Sequence, residues 1–285
     1  MAGFEWDIIS VNLSTPRDIT FDSRGRLLIL EAGSGITALT LSNDSCSVVT
    51  ATTQLLSNSS LNHGIEFSTD GNTLYASSNN SAWAWDYNVD GPNISNPRII
   101  VTGMGGTTHS TRTLHIPPLH PNLLVVSRGS DGNIDASAAD IASGHSQVKV
   151  FDLNHVPSGG YDYTSEGAVL GFGVRNEVGV TSDLNGRVWG VMNSADDLTR
   201  NGTDISKDNP AEELHYCTPL SPSSSVLHCL RALMGVSWRS NKSTEFILRI
   251  PELFHSMGSN SLHSTITNRS TLDYVTKFHI QRYNM

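Results

Sequence analysis

Pro16–Leu30, PRDITFDSRGRLLIL, alternates apolar and polar residues, turns at Asp22-Ser-Arg-Gly25, and resumes as an apolar run. That pattern marks a β-hairpin, because side chains on a strand point to opposite faces and Asp with Gly suits a tight turn. The plan recurs in HGIEFSTDGNTLYAS (63–77), TRTLHIPPLHPNLLVVS (111–127) and EVGVTSDLNGRVWGVM (177–192). The starts lie about 45–65 residues apart, the length of one four-stranded blade. Further strands are expected at Thr37–Leu41, Ala82–Tyr87, Gln147–Leu153 and Ala168–Phe172. No long segment keeps a helical period. The expected fold is all-β, a β-propeller with about four blades present.

The pattern ends near Thr218. PLSPSSSVLHCLRALMGVSWRSNKSTEF has neither an Asp-x-x-Gly turn nor clean alternation. Residues 1–217 are therefore expected to form the partial propeller. Residues 218–285 are expected to be an aberrant or poorly ordered tail, of translated non-coding or misspliced origin, with a small helical appendage around Val226–Met234 as the alternative.

Bulk properties narrow the function. The 285 residues carry a net charge of −9, which supplies no basic stripe for nucleic acid. No apolar run approaches the length of a membrane span. Gly 24 and 38% hydrophobic residues suit a turn-rich β protein. Cys46, Cys217 and Cys229 lack metal spacing and allow at most one internal disulfide plus a thiol. Sequons at Asn12, Asn43, Asn58, Asn79, Asn93, Asn201, Asn241 and Asn268 suggest secretion. Against that, MAGFEWDII has neither the basic start nor the apolar middle of a signal peptide.

Chemistry concentrates in GFGVRNEVG (171–179) and NSADDLTRNGTDISKDNPAEELHY (193–216). Arg175 is a permanent cation with a fork of donors, and Asn176 can donate and accept, a pair suited to an anionic, carbonyl-rich ligand. The run that follows is rich in the hard oxygens Ca²⁺ prefers. The plainer alternative is a rim ion pair at Arg175 and a solvated acidic loop.

These segments, with LNHGIEFSTDGNTLYASS (61–78), HSTRTL (109–114), SRGSDGNID (127–135) and GHSQVKVFDL (144–153), resemble the fungal pyrroloquinoline-quinone-dependent sugar dehydrogenases. These are the pyranose and L-sorbosone dehydrogenase type, related to the bacterial soluble quinoprotein glucose dehydrogenases. The resemblance runs from about Pro16 to Tyr216. It implies a six-bladed propeller of which two closing blades are missing here, and an extracellular enzyme whose N-terminus is incomplete in this chain. It further implies pyrroloquinoline quinone and Ca²⁺ as cofactors, oxidation of a sugar's C1 hydroxyl to the lactone, and a one-electron acceptor such as a cytochrome.

Residue by residue, the resemblance makes His109 the general base and Arg175 the cation that stabilises charge arriving on the quinone, with Asn176 beside it. Arg17, His63 and Arg128 are expected at the cofactor, Arg17 having a blade-edge ion pair as its alternative. Asn62, Asn133 and Asp135 are expected at the sugar. Ser130 stands where the bacterial relatives have an acid. Ser194 and Ala195 are expected to offer main-chain carbonyls to Ca²⁺. Met192 stands where the family has an acidic residue. Glu212 and Glu213 are expected to fix their loop or a second ion, and Trp83, Trp85 and Trp189 to fill blade cores. Two other classes compete: an inactive propeller fragment lacking its closing blades, and a Ca²⁺-dependent lactonase on a six-bladed propeller. The lactonase needs converging acidic metal ligands rather than Arg-Asn and His.

Overall fold

The structure, a computed structural model, describes residues 8–10, 12–42, 48–206, 212–217 and 229–230. Four sheets, each with four antiparallel strands and the second extended by a fifth, follow one another along the chain, the arrangement of propeller blades. Blade 1 is β1 (Pro16–Phe21), β2 (Leu27–Glu31), β3 (Gly35–Leu41) and β4 (Val49–Ser57). Blade 2 is β5 (Leu61–Phe67), β6 (Thr73–Ser78), β7 (Ala82–Asn88) and β8 (Asn93–Thr102). Blade 3 is β9 (Leu114–His115), β10 (Leu123–Arg128), β11 (Gln147–Asp152) and, after the short β12 (Tyr161–Asp162), β13 (Ala168–Phe172). Blade 4 opens with β14 (Glu177–Ser182) and β15 (Val188–Met192). The small hairpin β16 (Thr199–Arg200) and β17 (Thr203–Asp204) intervenes before β18 (Glu213–Cys217) and β19 (Cys229–Leu230).

The first hairpin of a blade is set by its aspartate. Asp22 accepts from the backbone N–H groups of Arg24 and Arg26, both at 2.9 Å, while Gly25 takes the left-handed conformation at φ +77°. Asp183 repeats the device on the N–H groups of Asn185 (2.8 Å) and Arg187 (3.0 Å). The third repeat has no glycine. It turns through Pro117–Leu123, with Leu123 N–H donating to His120 O at 3.0 Å.

Second strands are buried on both faces because blades stack face to face, which explains the unbroken LLIL and LLVV runs. Leu28 and Leu30 of β2 pack with Leu61, Ile65 and Leu74 between blades 1 and 2. Leu124 and Val126 of β10 pack with Tyr75, Val101 and Leu114 between blades 2 and 3. Val125, of opposite parity, packs with Val148, Leu170 and Val188 between blades 3 and 4. Polar locks join the inner strands: Ile65 N–H donates to Asp18 Oδ2 (3.0 Å), Ser77 Oγ to Arg112 O (2.6 Å), and Thr113 Oγ1 to Val178 O (2.8 Å).

Trp85 is buried in the blade 1–2 core with Trp83 packed beside it. Trp189, expected in a blade core, is half-buried, and its indole N–H donates to Asp183 Oδ2 at 3.1 Å. β12 leaves blade 3 and pairs in parallel with β8 of blade 2, Tyr161 opposite Val101. Of the expected tail, only β19 belongs to the described residues; it pairs with β18, Cys217 opposite Cys229 in register. Cys217 is disulfide-bonded. Val226–Met234 lies outside the described residues apart from β19. No helix among the described residues is long and apolar enough to cross a membrane.

Candidate cofactor site at the blade 3–4 loops

The site is assembled by the loop entering β9, the loop leaving β10 and the two loops that bracket β14 and β15. Gly129 lies at their meeting point. A methyl group there would come within 2.6 Å of Asn176 Oδ1, 2.8 Å of His109 Cβ and 3.2 Å of Arg175 O. Three residues singled out from sequence are thus brought together because one backbone position carries no side chain.

His109 is half-buried, and its Nδ1 lies 2.7 Å from Ser130 O. A carbonyl oxygen can only accept, so Nδ1 carries the hydrogen and Nε2 keeps the lone pair. Burial, with the nearby Arg175 and Arg112 charges, holds the imidazole below its ordinary pKa and keeps it neutral. Ser130, standing where an acid was expected, donates its hydroxyl to Gly132 O (2.8 Å) and orients the histidine through its carbonyl.

Arg112 was missed as a functional residue although it lies inside HSTRTL. It is 1% exposed and donates through Nη1 to His109 O (2.6 Å) and Thr111 O (2.7 Å), and through Nη2 to Asn79 Oδ1 (3.0 Å) and Met104 O (2.5 Å). Burial brings its pKa down to about 10. The sequence signal was available: an arginine set among apolar and hydroxyl residues at a strand start requires several carbonyl partners if buried.

Arg175 donates through Nε to Asn133 O (3.1 Å), through Nη2 to Asn133 Oδ1 (2.7 Å), and through Nη1 to Asn193 O (3.4 Å). The Asp196 carboxylate, 82% exposed, lies 3.7 Å away. Exposure and distance make that ion pair weak, so the rim-pair alternative accounts for little of the arginine's placement. Ser130 N–H donates to Arg175 O at 2.7 Å and Asn193 N–H to Asn176 O at 3.0 Å. Met192, in the place of the expected acid, lies with Sδ 2.9 Å from Arg175 N.

Ser194 and Ala195 are half-buried in the turn between Asn193 and Asp197, and among the described residues neither makes a hydrogen bond. No group of three or more His, Cys, Asp or Glu among the described residues could hold a metal ion. A hard cation here would therefore rest on main-chain oxygens, which these residues have to offer. The Arg175 guanidinium, which keeps two N–H groups beyond its three hydrogen bonds, likewise suits an anionic ligand.

Arg128 is buried and bonds through its terminal nitrogens to Gly105 O (2.8 Å) and Ser143 O (3.3 Å). Asp135 accepts from Asp131 N–H (2.7 Å), Ser137 N–H (3.0 Å) and His145 Nδ1 (2.7 Å), so its carboxylate shapes its own loop. Burial raises its pKa, but these bonds outweigh that and hold it far below the usual range. Asn133 serves Arg175, as above. Asn62 donates to Ser110 O (2.9 Å), next to His109. His63 and Arg17 are buried near the starts of β5 and β1. Glu213 lies 2.7 Å from His215 Nε2, fixing β18.

The family model described as TrAA12-like matches residues 1–228. The chain belongs to that family. It is 44% identical over 222 residues to a pyrroloquinoline quinone-dependent sugar dehydrogenase of Hypocrea jecorina, covering 75% of this chain and 51% of the relative. It is 41% identical over 218 residues to a pyrroloquinoline quinone-dependent pyranose dehydrogenase of Coprinopsis cinerea, covering 75% and 30%. Among solved structures, the calcium structure of the Trichoderma reesei family AA12 enzyme superposes with TM-score 0.74 at 41% identity, over 79% of this chain and 57% of that one. The holo form of the Coprinopsis cinerea pyranose dehydrogenase PQQ domain gives 0.70 at 40%, over 73% and 52%. The PQQ-bound aldose sugar dehydrogenase of Streptomyces coelicolor, at 0.52 and 15%, shares the fold. The chain thus spans about half the length, or less, of the curated relatives it matches.

Proposed function

We propose that this chain carries the base-and-arginine side of the site of a secreted sugar dehydrogenase. That enzyme would use pyrroloquinoline quinone and Ca²⁺ to oxidise the C1 hydroxyl of a pyranose or related aldose to the lactone. The observation that carries the reading is the meeting of neutral His109, Arg175 and Asn176 around Gly129. Bound quinone supplies the two-electron acceptor, reoxidised by a one-electron acceptor such as a cytochrome. His109 Nε2 takes the hydroxyl proton, which an imidazole neutral at its working pH can do. Arg175 holds the anionic ligand with donors already oriented by Asn133, so little reorganisation is needed as charge develops. Ser194 and Ala195 offer their carbonyls to the cation. The lactonase alternative has less support, since its converging acidic ligands are not found among the described residues.

The test is titration of the purified chain with quinone in the presence of Ca²⁺, followed by absorbance. Saturable binding is expected, and Arg175→Ala should lower affinity by about ten- to a hundred-fold, or about 1.5–3 kcal/mol for a charge-assisted contact. Unchanged affinity in the variant would remove Arg175 from the site.

A further inference from the structure

We infer that Asn133 is a positioning residue that fixes the Arg175 guanidinium and the 193–197 turn as one unit. For its ligands the inference rests on the function proposed above; its geometry stands without it. Oδ1 of Asn133 accepts from Arg175 Nη2 and from Asp196 N–H, each at 2.7 Å, which occupies both of its lone pairs. Nδ2 donates to Asp196 O at 2.7 Å, and the main-chain oxygen accepts from Arg175 Nε at 3.1 Å. One planar amide therefore grips the turn by both polar groups of a single residue while aligning the arginine's fork.

The turn has one other anchor of comparable quality. At its near end Asn193 N–H donates to Asn176 O at 3.0 Å, with a longer bond from Arg175 Nη1 to Asn193 O at 3.4 Å. Ser194 and Ala195 hang between the Asn176 and Asn133 anchors without hydrogen bonds among the described residues. Burial does not hold the far end, because the Asp196 side chain is 82% exposed. Asp197 sits there at φ +53°, a conformation uncommon for a side-chain-bearing residue. Removing the amide frees the half of the turn that leads away from Asn193 and takes from the guanidinium its shortest bond, leaving Nε on the Asn133 main-chain oxygen.

The required chemistry is specific. A doubly accepting oxygen and a donating nitrogen on one short planar group describe asparagine. Aspartate keeps the two acceptors, loses the donor, and sets a negative charge against Arg175. Alanine loses all three side-chain bonds.

The experiment compares the ligand-free chain with Asn133→Ala and Asn133→Asp by hydrogen–deuterium exchange, then titrates each with Ca²⁺ alone and with quinone alone. Asn133→Ala should speed exchange of the Asp196 amide about tenfold or more, with the Asn193 amide, held by Asn176 O, and the blade-strand amides unchanged. Its Ca²⁺ and quinone affinities should each fall about tenfold or more, the scale of supporting-residue effects at metal sites. Asn133→Asp keeps the acceptor for Asp196 N–H but sets a second oxygen against Asp196 O, so it should speed the Asp196 exchange less than Asn133→Ala does, and it should lose quinone affinity about tenfold because its carboxylate offsets the Arg175 charge. Unchanged turn exchange in Asn133→Ala overturns the inference, as does turn exchange in Asn133→Asp as fast as in Asn133→Ala. Should the parent chain bind neither ligand while the turn still loosens in Asn133→Ala, the proposed function fails and the positioning role stands. If Asn133→Ala does not fold, the Asn133→Asp exchange and quinone results decide alone.

Discussion

Replacing Gly129 by alanine tests whether the site is as tightly closed as the geometry states. Two effects of opposite sign compete. Gly129 is not among the positive-φ glycines, so alanine can adopt its backbone conformation. Reduced freedom of the unfolded chain then favours the variant by about 0.4–1 kcal/mol. Against this, the added methyl would lie 2.6 Å from Asn176 Oδ1 and 2.8 Å from His109 Cβ, short of a ~3.4 Å contact by about 0.8 and 0.6 Å. Asn176 Oδ1 is a side-chain end with little room to retreat because Asn176 is buried, while His109 meets the methyl with its Cβ and is held at Nδ1 and at its carbonyl, so it cannot give. Overpacking of this kind costs about 1–3 kcal/mol, so the clash wins. For a unit of this size the melting temperature should fall by about 2–8 °C. Quinone affinity should fall as well, because the same displacement moves His109 and Asn176 from the positions the proposed site uses. The assay is thermal unfolding with quinone titration in parallel. Gly132→Ala is the control from the same loop, where the nearest atom to a new methyl is Ile134 O at 3.3 Å. A Gly129→Ala variant that melts at or above the parent temperature with unchanged quinone affinity would refute the reasoning.

Two pH-dependent predictions accompany it. His109 has its pKa lowered from 6.5, so its neutral form is favoured in the fold; the corresponding stability is present above pH 6.5 and is lost as pH falls below that value. An NMR titration should place its midpoint below 6.5 and move it upward in Arg175→Ala, and a midpoint above 6.5 would show the imidazole to be less enclosed than described. Glu177 is buried, and desolvation raises its pKa above 4.5 despite the His215 hydrogen bond and charge; its stabilising contribution is full below pH 4.5 and lost as pH rises through the folded value. Glu177→Gln should therefore gain melting temperature relative to the parent as pH rises from 4.5 to 8, and a gap that moves the other way would mean that Glu177 is ionised and stably paired.

Burial set what could be read from the sequence. β3, β7, β11 and β13 match the expected strands within two residues at each end, because their apolar faces are covered by neighbouring blades. β4, VTATTQLLS, and β8, NISNPRIIVT, are largely exposed outer strands whose polar residues read as loop. β12, two residues long and paired across blades, has no local signal at all. In the site, the Arg-Asn pair and His109 were legible as residue types at unusual places. The division of labour among Arg112, Arg128 and Arg175 was not. All three are arginines near strand ends, and only the direction of each side chain separates the one bonded to the His109 carbonyl, the one bonded to Gly105 and Ser143 and the one bonded to Asn133. Asn133 and Asp135 differ in the same way, one gripping Arg175 and the other its own loop.

The short strand β12 has a mechanical consequence. Chain that belongs to blade 3 crosses to the rim of blade 2 and pairs with it there, and the crossing is pinned from below by Lys149, whose ammonium donates to Tyr163 O at 2.6 Å and Glu166 O at 3.1 Å. At the hub the same two blades are joined by Ser77 Oγ and Arg112 O. Fastened at both radii, blades 2 and 3 form a wedge held more firmly than blades joined at the hub alone, so breathing should concentrate at the seams on either side. The outer edge of blade 2 is also partly closed to strands of other chains. The histidine and the carbonyl that orients it both hang from the wedge, whereas Arg175 and Asn176 lie at the blade 3–4 seam. Loosening the molecule should therefore disturb the anion-holding side of the site while the base is still in place.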